Sequence, residues 1–391
     1  MIVVTSNWAL GDGTLVPAVA PWHATLTTAI HRAVLRAGVR GDGSYRPLEG
    51  LDLVLAGDTF DWLLSAEWLG GPKPWQGTLA AREAATRVAR RSFRAARRVL
   101  GPVIHWARHG LAVPAAARGR PGRTAVSIPV RVTLLAGDRD AALEHHVGRR
   151  DARQPVTTGS RWDDGRVSIR HGHELDPACR TTGGQPAPRD RQPTLAESVA
   201  VDLVGRFAAA VRPLAPAGKR LVSRLAAAGP IGLPAVIAAG GGAVGGVAGE
   251  DASLADAWRR SVEAWWHEAR RTVPACEVEF DAVDALAGWF ADGRGADRMP
   301  AGLDRLRPRP PRAAPGVVFG HLPAVEDAAA ACLGPVPGAV DGAVPRLIAC
   351  VETEGWPRWQ SVLPVEDRAA VVAIRAPERA AADGGRIVDA A

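Results

Sequence analysis

Lysine is almost missing from this chain: of 48 basic residues only Lys73 and Lys219 are lysine, and the others are arginine. With 31 prolines and 43 glycines alongside, the imbalance reads as the coding bias of a GC-rich genome. The formal charge of +7 therefore permits an anionic partner, substrate or surface without requiring one. Tyrosine is scarcer still, at a single residue, and no aromatic–basic interleaving or nucleic-acid recognition motif is present. The four cysteines, Cys179, Cys276, Cys332 and Cys350, lie far apart with no C-x-x-C pair. That excludes a zinc-ribbon spacing and a dense disulfide framework. The N-terminus runs directly into Met1-Ile2-Val3-Val4, too short and uncharged for a signal peptide, so a reducing cytoplasm is the expected compartment. No G-x-x-x-x-G-K-[ST] phosphate loop and no G-x-S-x-G elbow is found. The one long uncharged stretch, residues 229–249, has eight glycines in 21 positions and is interrupted by Pro230 and Pro234. A span needs roughly 20 apolar residues, so this stretch reads as a flexible linker rather than a membrane segment.

What is present is a series of short apolar runs, each ending in a polar pair. Residues 2–5 lead into Ser6-Asn7-Trp8, 51–56 into Gly57-Asp58, and 130–136 into Gly137-Asp138. Residues 167–170 lead into His171-Gly172-His173, and 317–319 into Gly320-His321. Runs this short and rich in Val, Leu and Ile read as buried strands. Polar residues just past such strands are where open α/β folds place their chemistry. Between them, residues 79–100 read as a helix whose Arg87, Arg90, Arg91, Arg94, Arg97 and Arg98 form a basic stripe at helical spacing. That stripe is expected to be a solvated face, with anion contact as the sharper alternative.

Residues 190–300 have another texture. An amphipathic helical stretch over 194–225 precedes the glycine-rich linker, and a tryptophan-bearing helix near 254–271 follows it. The latter is expected to begin on a capping box, Ser253 with Asp256, and Trp258, Val262, Trp265 and Ala269 share one face. The expected organisation is an α/β body over 1–189 and 301–376, with a helical insertion or cap over 190–300. A stiff proline-rich connection at 308–315 leads back to the body, and a flexible tail covers 377–391.

The polar blocks, in order, read Asn7-Trp8-Ala9, Gly57-Asp58-Thr59-Phe60-Asp61, Gly137-Asp138-Arg139-Asp140, His171-Gly172-His173-Glu174 and Gly320-His321-Leu322-Pro323. This succession resembles the D-x-H, G-D-x-x-D, G-N-H-[DE], H-G-H and G-H-x-H blocks of calcineurin-like metallophosphoesterases. Val351-Glu352-Thr353-Glu354-Gly355-Trp356 is also similar to an N-T-G-x-W stretch found in that family. The resemblance implies an α/β fold: a four-layer sandwich of two mixed sheets packed face to face, with helices outside. It also implies a hydrolytic site in which two divalent cations, bridged by a carboxylate, activate water and neutralise phosphoryl charge.

Carried over residue by residue, the resemblance leaves the two cation positions unequal. The first keeps only Asp58, because Asn7, Ala9 and Pro323 replace its carboxylate and its two imidazoles. The second keeps Asp58, His171 and His321, with Asp138 where relatives have asparagine. That set suits one divalent ion (manganese, zinc or iron), or none if it stays empty. Without an ion, Asp58 and Asp138 would repel unless a proton or a cation such as Arg139 intervenes. Arg139 also replaces the family's proton-donating histidine. It can contact phosphate but not give up a proton near neutral pH, with Asp140 as its expected pairing partner. His173 and Glu174 are expected to orient the ligands rather than bind metal, and Asp61 to support its loop. The implied function is a divergent metallophosphoesterase homologue, acting on or binding a phosphate-containing or other anionic small molecule, with weak or lost hydrolysis. The alternatives are an active mononuclear phosphoesterase, or a non-catalytic binding or regulatory protein on the same fold.

Overall fold

The computed structural model describes residues 1–19, 23–143, 156–165, 167–180, 192–212, 221–222, 225, 250–272, 284–288, 290, 317–321, 331–332, 347–353, 356–361 and 372–374. Pro323, the glycine-rich segment at 229–249, the connection at 308–315 and the tail at 377–391 lie outside these residues.

The chain is α/β, with a mixed seven-stranded sheet at its centre. Four parallel strands, β1 (Ile2–Thr5), β2 (Leu51–Ala56), β5 (Val130–Leu135) and β6 (Val156–Gly159), lie side by side in that order. On the far edge of β1, β11 (Leu347–Thr353) and β13 (Val372–Ile374) pair antiparallel to it, and β12 (Trp356–Ser361) pairs antiparallel to β11. A second sheet runs β10-β9-β8-β7, from Ala331–Cys332, Val317–Phe319, Ser168–Arg170 and Arg161–Asp163. Its β8 and β9 are parallel. Strands β3 (Leu111–Ala117) and β4 (Arg120–Ile128) form a separate hairpin.

Alternation along the central strands explains the layering, because successive side chains leave opposite faces of a strand. Val3, Leu53, Leu55, Val132 and Leu134 join one apolar cluster with Leu26, Ile30 and Val34 of α1 (His23–Ala37). The same cluster takes in Ala84 and Val88 of α2 (Leu79–Ala95), and Val99 and Val103 of α3 (Arg97–His109). Ile2, Val4, Val54, Ala56 and Leu135 leave the other face and cluster with Val167, Ile169 and Val318 around the second sheet. Central strands covered on both sides are dominated by apolar residues, which is why these segments stand out in the sequence. The single helix expected over 79–100 is two, meeting at Ala96. Pro102 sits inside the second helix without ending it, and its missing N–H leaves the Arg98 carbonyl without that helical donor.

The described part of 190–300 is helical. Helix α4 starts at Leu195–Ser198, continues through a π-helical stretch, Val199–Val204, and ends with Gly205–Val211. Thr194 and Glu197 form its capping box. Helix α5 spans Glu250–Thr272. Ser253 therefore lies inside the helix instead of capping it, and Asp256 pairs with Arg259 at 2.9 Å, one turn along. Trp258, Val262, Trp265 and Ala269 are all buried, in a second core with Phe207, Phe290 and residues of α4. This core reaches the α/β body through Val16, Leu64 and Ala178. A partly buried ion pair, Lys73 Nζ to Asp202 at 2.6 Å, crosses between the two. Among the described residues no helix is long and apolar enough to cross a membrane.

Candidate metal centre at the strand ends

The loops leaving β1, β2, β5, β8 and β9 meet at one end of the two sheets. Parallel strands make this possible, since their C-terminal ends all point the same way. The loops after β1 and β2 run side by side: Asn7 N–H donates to the Gly57 carbonyl at 3.1 Å, and Ala9 N–H to that of Asp58 at 3.0 Å. Asn7, Ala9 and Asp58 all adopt positive φ, at 55°, 48° and 50°. Left-handed backbone costs a residue with a Cβ roughly 1–2 kcal/mol. Three such residues together mark a loop set held in place by its surroundings.

Glycines stand before the chemical residues for reasons of space. A Cβ on Gly57 would collide with the His171 ring, and one on Gly137 with the Asp58 carboxylate. The recurring glycine–acid pairs of the sequence are thus close-approach points that let side chains from separate strands converge.

Asp58, Asp138, His171 and His321 come together, with one potential ligand atom from each lying within 4.8 Å of the others. His171 Nε2 is 3.0 Å from Asp138 Oδ1 and 3.3 Å from Asp58 Oδ2. His321 Nδ1 is 3.3 Å from Asp138 Oδ1. The outward nitrogens are occupied. His171 Nδ1 is 2.9 Å from the Ala56 carbonyl, which can only accept, so that nitrogen carries a proton. His321 Nε2 donates to Asp176 Oδ2 at 2.8 Å. Each imidazole therefore has its outer nitrogen on an acceptor and its inner nitrogen facing the carboxylates, the arrangement typical of metal-ligating histidine.

The electrostatics follow from this crowding. Burial opposes charge on His171, but Asp58 and Asp138 outweigh it and lift its pKa well above the ordinary histidine range. His321 is affected in the same way, with burial overcome chiefly by Asp138, and is pushed up to about 9. Burial would raise Asp138, yet the two imidazoles hold it well below the usual carboxylate range. The carboxylates and the imidazoles thus favour each other's charged forms.

The rest of the block residues behave differently. Asn7 Nδ2 donates to the Gly320 carbonyl at 2.8 Å, where Ser6 Oγ also donates at 2.8 Å. Its amide ties β1 to β9. Ala9 brings no polar side chain, and Pro323 lies outside the described residues. Arg139 does not stand between Asp58 and Asp138. Its Nη1 pairs with Asp61 at 2.6 Å and its Nε lies 3.8 Å from Asp58. Burial opposes its charge, but Asp61 and Asp58 hold it charged. Asp61 is accordingly an ion-pair partner as well as a loop support. Asp140 accepts from the Gly137 and Phe60 backbone N–H groups at 2.7 and 3.1 Å instead of pairing with Arg139. Burial and the nearby Asp58 raise it to about 7.

Neither His173 nor Glu174 holds a cluster residue by a hydrogen bond, although the His173 ring centroid lies 5.3 Å from that of His171. His173 Nδ1 has no hydrogen-bond partner, and Glu174 pairs with Arg170 at 3.3 Å. Asp176 and the Ala56 carbonyl do the orienting instead. Sequence reading missed Asp176 and also Cys179, whose sulfur is 3.8 Å from His321 Nε2. The only local signal was Asp176-Pro177, an acid before proline at the start of the short helical turn Pro177–Cys179. Part of the basic stripe is also engaged: Arg91 pairs with Asp12 and Glu67 at 2.9 and 2.8 Å, and Arg87 with Glu67 at 3.0 Å. No protein-family model, curated protein or solved structure matches the chain.

Proposed function

We propose that this chain is a divergent metallophosphoesterase homologue that holds one divalent ion, recognises a phosphate-containing or other anionic small molecule, and has weak or lost hydrolysis. The observation that carries the reading is the convergence of Asp58, Asp138, His171 and His321 with both outer imidazole nitrogens already satisfied. Two carboxylates and two neutral imidazoles form a mixed O/N set suited to manganese, zinc or iron. A bound ion there supplies Lewis-acid neutralisation of phosphoryl charge and lowers the pKa of water. The helix layer, seven-stranded sheet and four-stranded sheet, in that order, supply three layers of the four-layer sandwich that this reading includes.

The chain's own groups account for the weak hydrolysis. Asp58 and Asp138 provide the negative charge that draws a cation, and His171 Nε2 and His321 Nδ1 face the same space. On the other side, Asn7 spends its amide on a backbone carbonyl and Ala9 offers nothing. Arg139 brings a permanent positive charge where relatives place histidine. It stays protonated, so it donates hydrogen bonds to phosphate oxygens but no proton to a leaving group. One of its nitrogens is already committed to Asp61, which leaves fewer for a ligand.

Metal analysis of protein purified without chelator tests the reading directly, and one equivalent of manganese, zinc or iron is expected. Removing a single electrostatic stabiliser costs about 10²–10³ in rate. Several are missing here, so turnover of aryl phosphate mono- and diesters should stay near background. Robust turnover that disappears in His321→Ala would favour an active mononuclear phosphoesterase. A chain that takes up no metal would favour a binding or regulatory protein on this fold.

A further inference from the structure

His321 stands between two acidic groups, and the one behind it has no role in the proposed centre beyond holding the ring. Asp176 Oδ2 lies 2.8 Å from His321 Nε2, and Cys179 Sγ lies 3.8 Å from the same nitrogen. The ligand atoms of Asp176, Cys179 and His321 all lie within 4.8 Å of one another. Tetrahedral zinc has bonds of about 2.3 Å to sulfur and about 2.0–2.1 Å to imidazole nitrogen, which sets its ligand atoms roughly 3.5 Å apart. The sulfur–nitrogen separation here is close to that. Asp176 is pre-positioned as well: its Oδ1 accepts from the Ala178 N–H at 2.8 Å, leaving Oδ2 aimed at the ring. The turn Pro177–Cys179 places Asp176 and Cys179 three residues apart on its inner side. Cys179 is a free thiol.

We propose that Asp176, Cys179 and His321 form a second metal site, thiolate-containing and selective for a zinc-class ion, that excludes metal from the Asp58–Asp138–His171 centre by claiming His321. A neutral imidazole has one lone pair. With its proton on Nε2 and donated to Asp176, His321 offers Nδ1 to the first centre. With its proton on Nδ1 and donated to Asp138, 3.3 Å away, it offers Nε2 to Asp176 and Cys179. On coordination Cys179 releases its thiol proton to solvent, and the sulfur–metal bond replaces the S–H bond. Thiolate favours zinc or other soft ions, while the carboxylate-rich first set also accepts manganese. The choice of ion therefore decides which side of His321 is used. The exclusion rests on the proposed first centre, whereas the second site stands on its own geometry.

Cobalt(II) distinguishes the two sites, because a cysteine ligand gives an intense near-ultraviolet sulfur-to-cobalt absorption that oxygen and nitrogen ligands do not. The full-length protein, stripped of metal, reduced and kept anaerobic, should develop this band on adding cobalt. Asp58→Asn should retain it, and Cys179→Ser should lose it. Zinc affinity at this site should fall in Cys179→Ser by more than the roughly 10–100-fold typical of an outer-shell change. Cys179→Ala, which adds no polar group, should match it, with far-ultraviolet circular dichroism confirming that both variants fold. Manganese binding should survive in both. With manganese and zinc supplied together, total bound metal should stay at one ion per chain. Absence of the band in wild type, or its persistence without Cys179, overturns the site. Two ions per chain overturns the exclusion. A wild-type band without manganese binding overturns the proposed first centre and leaves this site standing.

Discussion

The two sides of the strand-end cluster use the same kind of loop to opposite ends. On one, Asp58, Asp138, His171 and His321 point their polar atoms at each other, and their outer atoms are tied to Ala56 and Asp176. On the other, Asn7 and Arg139 point theirs at Gly320 and Asp61, leaving no set of converging ligands among the described residues. The difference teaches that a polar residue at a strand end can be committed either to a shared cluster of carboxylates and imidazoles or to holding the fold itself.

The largest test of that comparison is Arg139→Ala. Asp61 would be left buried without its partner, and breaking such a pair costs about 3–5 kcal/mol. Thermal or urea unfolding should show this loss, and a stable variant would mean that Arg139 is held for a ligand and not for the fold. Next, His171→Ala should lower manganese affinity by more than about 100-fold, beyond the range of outer-shell changes, as read by calorimetry. Retained affinity would place the metal elsewhere.

Asn7→Asp sharpens the contrast further. It replaces an N–H donor with an acceptor facing the Gly320 carbonyl, and an unsatisfied buried acceptor costs about 1–3 kcal/mol. Lower stability with no second equivalent of metal is expected, whereas a gained equivalent would show that the first position is only dormant. The smallest effect concerns pH. The folded pKa of His321 is about 9 against an ordinary 6.5, so the folded state binds this proton more tightly than the unfolded chain. Its contribution to the stability of the metal-free protein is complete below about pH 6.5 and is lost as pH rises through 9. Unfolding midpoints at pH 6, 7.5 and 9 read it directly. Added manganese should flatten the trend, because the ion replaces the protons.

Much of this was legible in the residue order. Short apolar runs closed by polar residues announced β1, β2, β5, β8 and β9, because strands covered on both faces are rich in Val, Ile and Leu. The same ends announced Asp58, Asp138, His171 and His321. The buried face of α5 was legible in the spacing of Trp258, Val262, Trp265 and Ala269, but its start was not: Ser253 fits a cap pattern that the helix simply runs through. Local propensity is a weak prior, and here packing of the helix against α4 outweighed it.

The sequence by itself determined which strands are buried, where the loops between them carry acids and imidazoles, and that Ala9 has no ligand atom to offer. Only the tertiary structure decided what those groups face. Asp176 meets His321 across 145 positions of chain and Arg139 meets Asp61 across 78. Whether an acid orients, pairs or waits for a cation depends on distances that strand order and sheet packing set. Hydrogen bonds and ion pairs act over a few ångströms and take no account of separation along the chain.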